Sequence, residues 1–515
     1  VTRHRLPVPP PPSSSRQTSF AMERPKEDSA VAPLCLLDLP EGCFWQVVQR
    51  LPRTSRHLLG RALGRGRFAE LRLPPGTPLR VSEFCHSPTL LAWARQEGAP
   101  WGPETAAVIA AGGHLAVLRC ARDGAVAGGR LEWDARTCTA AARGGHMELL
   151  QWARVEGCLW TPATAEAAAA GGHGELLRWA AQAGCPMDGR VCTAAAAHGR
   201  LELLQWAREQ GCPWDSWTAA AAAKGGHLET LRWARGAGCP WDEQVGIMAA
   251  AGGHLQLLQW AWGNGCPCWD AALPAAAAAG GHLETLRWAR GAGCPWSGRV
   301  CVAAAGGGHV KLLRWARRQG CPWDERTPAA AARAGHGEAL QLAVKFGCPW
   351  DEATCAAAAA GGHLHLLLWA REAGCPWDET TCERAAQGGH CGLLEYALSN
   401  GCPASEATCN RAAAAGHLAA LQLAALRFSC PVGEATCAAA ARGGHLDVLR
   451  WLRREVGCPW DQETCRQAAR RGHLHVLAWA HEQRCTWDVR VCEAAAAGGH
   501  THVLAWIKQQ RSSWT

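Results

Sequence analysis

From about residue 86 onward, two kinds of apolar segment alternate along the chain. One is short and built of small side chains, as in TCAAAAA at 354–360. The other is Leu-rich, as in LHLLLWAREA at 364–373. Gly-Gly-His separates the first from the second, and Gly-Cys-Pro-Trp-Asp follows the second. Residues 351–376 serve as the type unit. Asp351 reads as an N-cap, with Glu352 in the first turn facing the positive end of the helix. Thr354 to Ala360 read as a helix that Gly361 and Gly362 stop, because glycine takes the left-handed C-terminal conformation without steric cost. His363 opens a second helix, which Gly374 ends and Pro376 prevents from continuing. Leu364, Leu366, Leu367, Trp369 and Ala370 cover more than half of that helix, whereas a surface helix needs only a stripe. The pattern therefore predicts cover by neighbours on both sides, and the alanine helix predicts close backbone approach.

The unit repeats. Its turn histidine recurs from His114 and His146 through to His500, with Arg200 in its place once. From His146 on, the steps are 27 residues, with three of 28. A half-unit at 90–101 opens the array, and RDGAVAGGRLEW lengthens the step after His114. So small a unit cannot offset its own ordering entropy, and stability must come from stacking on neighbours. The expected fold is all-α: a helix-turn-helix solenoid of about 15 repeats over residues 86–510. The composition, 28 Trp against one Tyr, agrees with one unit copied many times.

The unit resembles the ankyrin repeat. Cys355 stands at that family's core Leu, Ala358 and Ala359 at its paired Ala, and Leu366 and Leu367 at its Val-Val. Trp369 and Ala370 stand at its Leu-Leu, and Gly374 and Cys375 at its Gly-Ala. Ankyrin repeats run about 33 residues. The residues missing here fall after Gly-Cys-Pro-Trp-Asp, where the family builds its β-hairpin finger, so little or no strand is expected. The resemblance implies a scaffold that binds a protein partner along the face made by fingers and first helices. With the fingers cut, the loop tryptophans Trp214, Trp241, Trp296, Trp323, Trp350, Trp377 and Trp460 are candidate partner-binding residues, since Trp is favoured at hot spots. The alternative is a tryptophan ladder that stacks along the array.

Charge narrows the partner. Residues 1–80 hold 13 Lys/Arg and 6 Asp/Glu; the remainder holds 39 and 38, a balance of +1. A nucleic-acid-binding array needs a basic excess along its length, so nucleic acid is not the expected partner. No stretch has the apolar length of a membrane span. Residues 1–33, rich in Pro, Ser and charge, read as a disordered tail. Residues 34–80 lie outside the repeat. Leu39-Pro40, Val47-Val48 and Leu51-Pro52 resemble the opening of an F-box, with Phe44 and Trp45 between, although ALGRGRFAEL replaces the family's later segment. That resemblance implies a Skp1-type adaptor and a substrate-receptor role in a ubiquitin ligase. The alternative is a helical cap over the first repeat.

Cysteine and histidine invite a chemical reading. Thirteen Cys occupy the Gly-Cys loop position and nine the first-helix position. Zinc sites show closely spaced pairs in closed four-ligand sets, and these spacings do not. Both positions replace apolar residues, where cysteine behaves as a small hydrophobe. Disulfides are not needed by such a unit, and a reduced cytoplasmic or nuclear setting is expected. A catalytic centre is one unique constellation, so a histidine in every turn points to structure: no enzyme, metal or cofactor is expected. Deviant copies near 387–430, with Tyr396 and Leu423 for Trp, and Leu342 and Phe346 near His336, mark either a partner zone or drift.

Overall fold

In a computed structural model the described residues are Ser82, 84–96, 99–124, 129–267 and 270–512. The expected tail (1–33) and the whole of the F-box-like or cap segment (34–80), including Leu39, Pro40, Val47, Val48, Leu51 and Pro52, lie outside them. The chain divides into two units, 1–84 with 93–99, and 85–92 with 100–515. In the first, Phe84 and Ala94 are buried. The repeat array is the second.

The array is all-α. Fifteen helix pairs run from Pro103–Ala111 with Leu115–Arg122 to Arg490–Ala497 with Thr501–Ser512, and no described residue is in a strand. Each Pro-Trp-Asp loop leads directly into the next first helix; the finger is absent among the described residues, as its missing length requires. No helix among them is long and apolar enough to cross a membrane.

The caps explain the boundaries. Asp134, Asp188, Asp215, Asp242, Asp378 and Asp461 have extended backbone and accept a bond from an amide in the first turn, as Asp134 does from Arg136 N at 2.9 Å. The type unit departs from this. Asp351 sits at the cap position, but its carboxylate makes no cap bond and one oxygen is buried without a partner. At the other end the glycine before the turn histidine is left-handed, φ 76° at Gly145.

Turns are tied along the array by the histidines. Nε2 of His146, His173, His227, His254, His282, His309 and His473 lies 3.0–3.1 Å from the carbonyl at the end of the preceding repeat's first helix, for instance His309 to Ala279. One orphan carbonyl per turn is thereby satisfied. The loop cysteines make a parallel set of bonds, such as Cys375 Sγ to Asp351 O at 3.3 Å.

The core is continuous but uneven. Cys355, Ala358, Ala359, Leu366, Leu367 and Ala370 are buried, as expected, while Leu364 and Trp369 are only half-buried. First helices contact their neighbours along the array far more extensively than second helices do, because alanine lets their backbones close. The extra residue of two 28-residue steps is absorbed inside the second helix, as π-helical turns at Leu423–Arg427 and Leu452–Val456.

Candidate interaction surface

Among the described residues, concavities lie along the first helices. Their inward side is Thr/Cys/Ala core; their other side presents alanines between scattered long side chains. Three concavities lie along this side and share residues. One of about 540 Å³ runs from Ala111 to Arg143 and Ala163. One of about 810 Å³ lies between Arg143, Glu166, Arg190, Ala197, His198 and Trp217. One of about 530 Å³ continues past Trp217 to Lys224 and Met248. Arg143 joins the first two; Thr193, Ala197 and Trp217 join the last two.

Trp217 is 56 % exposed. It follows Ser216 at the start of its helix, where other copies carry Arg190, Arg299, Ala353 or Thr380. Around it the charges are partly spent. Arg190 pairs with Asp188 at 2.8 Å and with Glu166 at 3.8 Å, and the guanidinium's hydrogen bond holds the Asp188 carboxyl below the usual range. Arg143 and Lys224 are exposed and form no ion pair with any described residue. The groove thus holds alanines and Trp217 together with the carboxylates of Glu166, Asp188 and Asp215 and the cations Arg143, Arg190 and Lys224.

The loop tryptophans lie elsewhere. Trp214, Trp241, Trp296, Trp323, Trp350, Trp377 and Trp460 are all half-buried. Trp214 meets Trp233 of the following second helix edge-on at 5.8 Å, while the Arg208 guanidinium covers it at 4.2 Å. Trp241 with Trp260 and Arg235, Trp296 with Trp315 and Arg290, and Trp460 with Trp479 and Arg453 repeat the arrangement. Trp377 keeps it with Tyr396 as the aromatic partner and Arg371 as the cation. Trp323 has Arg317 but faces a copy with Leu342, and Trp350 has Trp369. The structure does not bring these residues into one site; it sets five of them in Arg–Trp–aromatic stacks, with Trp323 lacking the aromatic partner and Trp350 the arginine.

The loop cysteines and most of the first-helix ones are buried. Burial pushes Cys185 and Cys239 up to about 11, and Cys192, Cys348 and Cys409 up to about 12. The Cys355 thiol is raised first by its hydrogen bond to Cys375 and then by burial. The same bond acts in the opposite direction on the loop partner, lowering Cys375, and Cys158, Cys321, Cys402, Cys458 and Cys485 are lowered alike by their first-helix partners. Among the described residues no three His, Cys, Asp or Glu side chains converge on a metal-sized site.

Sequence reasoning that weighed the copies near 387–430 passed over Trp217. The signal was present: among the described first helices it is the one that carries a tryptophan, and the neighbouring turn reads His198-Gly199-Arg200 where others read Gly-Gly-His.

No protein-family model matches the chain, and no curated protein matches it. Among solved structures it is similar to the human ASB11 ankyrin repeat domain, at 19% identity over 31% of this chain and 84% of that one, TM-score 0.26. It is also similar to the pentatricopeptide repeat protein PPR10 in complex with an 18-nt psaJ RNA element, at 15% identity over 92% of this chain and 80% of that one, TM-score 0.30. At these scores neither bears on the choice of partner. The class that the fold defines is a helical-repeat solenoid.

Proposed function

We propose that the chain is a non-enzymatic, ankyrin-like scaffold that binds a protein segment in the first-helix groove, with Trp217 as the anchor. One observation carries this reading: a large aromatic side chain stands exposed between two adjoining concavities whose walls mix alanines with charged side chains. An exposed Trp in a concave setting supplies much of an interface's energy. The loop tryptophans serve this function indirectly, by fixing the spacing of the repeats.

The test is site-specific photocrosslinking of the full chain in cells. A photoreactive residue at Ala194 or Ala221 should give a discrete protein adduct that Trp217→Ala abolishes. The same residue at Arg232, on a second helix, should not. Adducts equal at all three sites, or unaffected by Trp217→Ala, remove the groove as the binding face.

A second reading rests on Leu39-Pro40, Val47-Val48 and Leu51-Pro52. On it, residues 34–80 hold a Skp1-type adaptor and the array is the substrate reader of a ubiquitin ligase. Retention of purified Skp1 by the chain, lost when Leu39, Pro40 and Leu51 are all changed to Ala, supports it. No retention removes it and leaves the groove reading standing.

A further inference from the structure

A separate concavity, of about 600 Å³, lies near the C-terminal end of the array. It is lined by Arg442, Gln467, Arg470, Arg471, Gly498 and His500. Arg442 and Arg470 hold the same register in consecutive repeats, three residues before His445 and His473. At that register Ala251, Ala279, Ala360 and Ala414 stand in other copies. A single cation there has a plain local role, since a basic residue suits the negative end of a helix, and Arg143 and Arg333 fill that role singly. Two in adjacent repeats exceed it.

Arg471 departs further. Its position is glycine in most copies because the turn is crowded: at Gly307 a Cβ would stand 2.6 Å from the His309 ring and 2.9 Å from the Ala279 carbonyl. An arginine at so tight a position, beside another arginine, brings a third guanidinium to the same concavity. All three arginines are exposed, and none forms an ion pair with a described residue. No carboxylate lines the space. The nearest acid on the same helix, Glu463, is engaged by Arg466 at 3.0 Å and by Gln467 at 2.6 Å. His473 Nε2 bonds the Arg442 carbonyl at 3.1 Å and so fixes the two turns to each other.

We infer that this concavity is a binding site for a phosphorylated side chain on a peptide segment of a partner protein. Three guanidiniums with no counter-ion repel one another, and a dianionic phosphate relieves that repulsion while accepting several charge-assisted bonds. Arginine clusters are a recurring solution for phosphopeptides. The surroundings select a single anionic group over a polyanion. The adjoining concavity, which shares Gln467 and Arg470 with this one, holds Glu463 and Glu493 beside Arg466 and Arg490, and the balance over residues 81–515 is only +1. A nucleic-acid backbone would meet carboxylates within one step of the pocket. The site is independent of the Trp217 groove and stands or falls without it.

The experiment presents the full chain with three immobilised degenerate peptide libraries, carrying a fixed phosphoserine, serine or glutamate, and with a single-stranded RNA oligomer. The phosphoserine library should be retained at least tenfold over the serine library. Arg470→Glu/Arg471→Glu should lose more than tenfold of that retention, and Arg470→Lys/Arg471→Lys less, because lysine keeps the charge but not the fork. Arg333→Glu, an exposed arginine at the same register far along the chain, should change nothing. Circular dichroism of each variant separates loss of binding from loss of fold. Equal retention of phosphoserine and serine libraries, retention unaffected by the charge reversal in a folded variant, or RNA bound in preference to phosphopeptide through the same arginines, each overturns the proposal.

Discussion

At the residue scale, two aspartates at equivalent positions are expected to behave in opposite ways. Asp188 caps its helix, accepting from Arg190 N at 3.1 Å, and Arg190 holds its carboxyl below the usual range. Asp188→Ala should cost about 1 kcal/mol at pH 7. Because the folded carboxyl is the stronger acid, this contribution is present above about pH 4 and fades as pH falls below it. Asp351 makes no cap bond, and burial, followed by repulsion from Glu352, raises its carboxyl. Its charge therefore opposes folding once pH rises above the unfolded value. Asp351→Asn should be neutral or stabilising at pH 7 by urea denaturation; clear destabilisation would restore Asp351 as a working cap. Both aspartates are half-buried; what separates them is the residue two places on, Arg190 after Asp188 and Ala353 after Asp351, with Glu352 adding repulsion at the second. His473 offers a second titration. Burial lowers it from 6.5, against the pull of its bond to the Arg442 carbonyl, with His445, His475 and His500 adding repulsion. The unfolded imidazole takes up its proton near pH 6.5 and the folded one only at lower pH, so stability is full above 6.5 and lost as pH falls through the folded value. Between pH 7.5 and 5.5 the urea midpoint of the wild type should fall by more than that of His473→Gln, which keeps a donor without a titration.

At the element scale, most of the repeat was legible because its punctuation is local. Aspartate caps, the left-handed glycine and the proline after Gly-Cys each act within a few residues. The missing finger was a matter of length alone. The unread parts depend on contacts between repeats. A 28-residue step gives one extra residue but not its place, and Leu423–Arg427 and Leu452–Val456 hold it inside the helix. Trp369 looked like core by periodicity, yet it is half-buried because the second helices contact one another less. For the loop tryptophans the sequence left a partner surface and a stacked ladder open; their edge-on pairing with the second helix and their arginine cover, six residues earlier in most copies, were not read. In the Arg208–Trp214–Trp233 stack, the edge-on indole pair should show a coupling of about 0.5–1.5 kcal/mol in a double-mutant cycle with Ala. Arg208→Gln should cost about 0.5–1 kcal/mol. A coupling near zero between Trp214 and Trp233 would mean that the stacks are adjacency without energy.

For the array as a whole, uniformity has a consequence for how it fails. Each repeat bonds only its neighbours: turn histidine to the carbonyl one repeat back, loop cysteine to a carbonyl 24 residues back. Stability is then a sum of repeat and interface contributions, and damage stays near its origin. Gly281 tests this. Its φ is +78°, and a Cβ there would stand 2.6 Å from the His309 ring. Gly281→Val requires a conformation that β-branched residues avoid and displaces the histidine that closes the next turn. Hydrogen exchange should accelerate strongly in the repeats carrying His282 and His309, and remain near wild type around Trp217 and around Arg470. Exchange that rises evenly from residue 103 to residue 512 would mean that the array unfolds as a single cooperative unit. In that case the two binding regions proposed here, one on each side of Gly281, could not be perturbed independently. If the damage stays local, the Trp217 groove and the arginine pocket can each be altered without disturbing the other, as copies built on one unit allow.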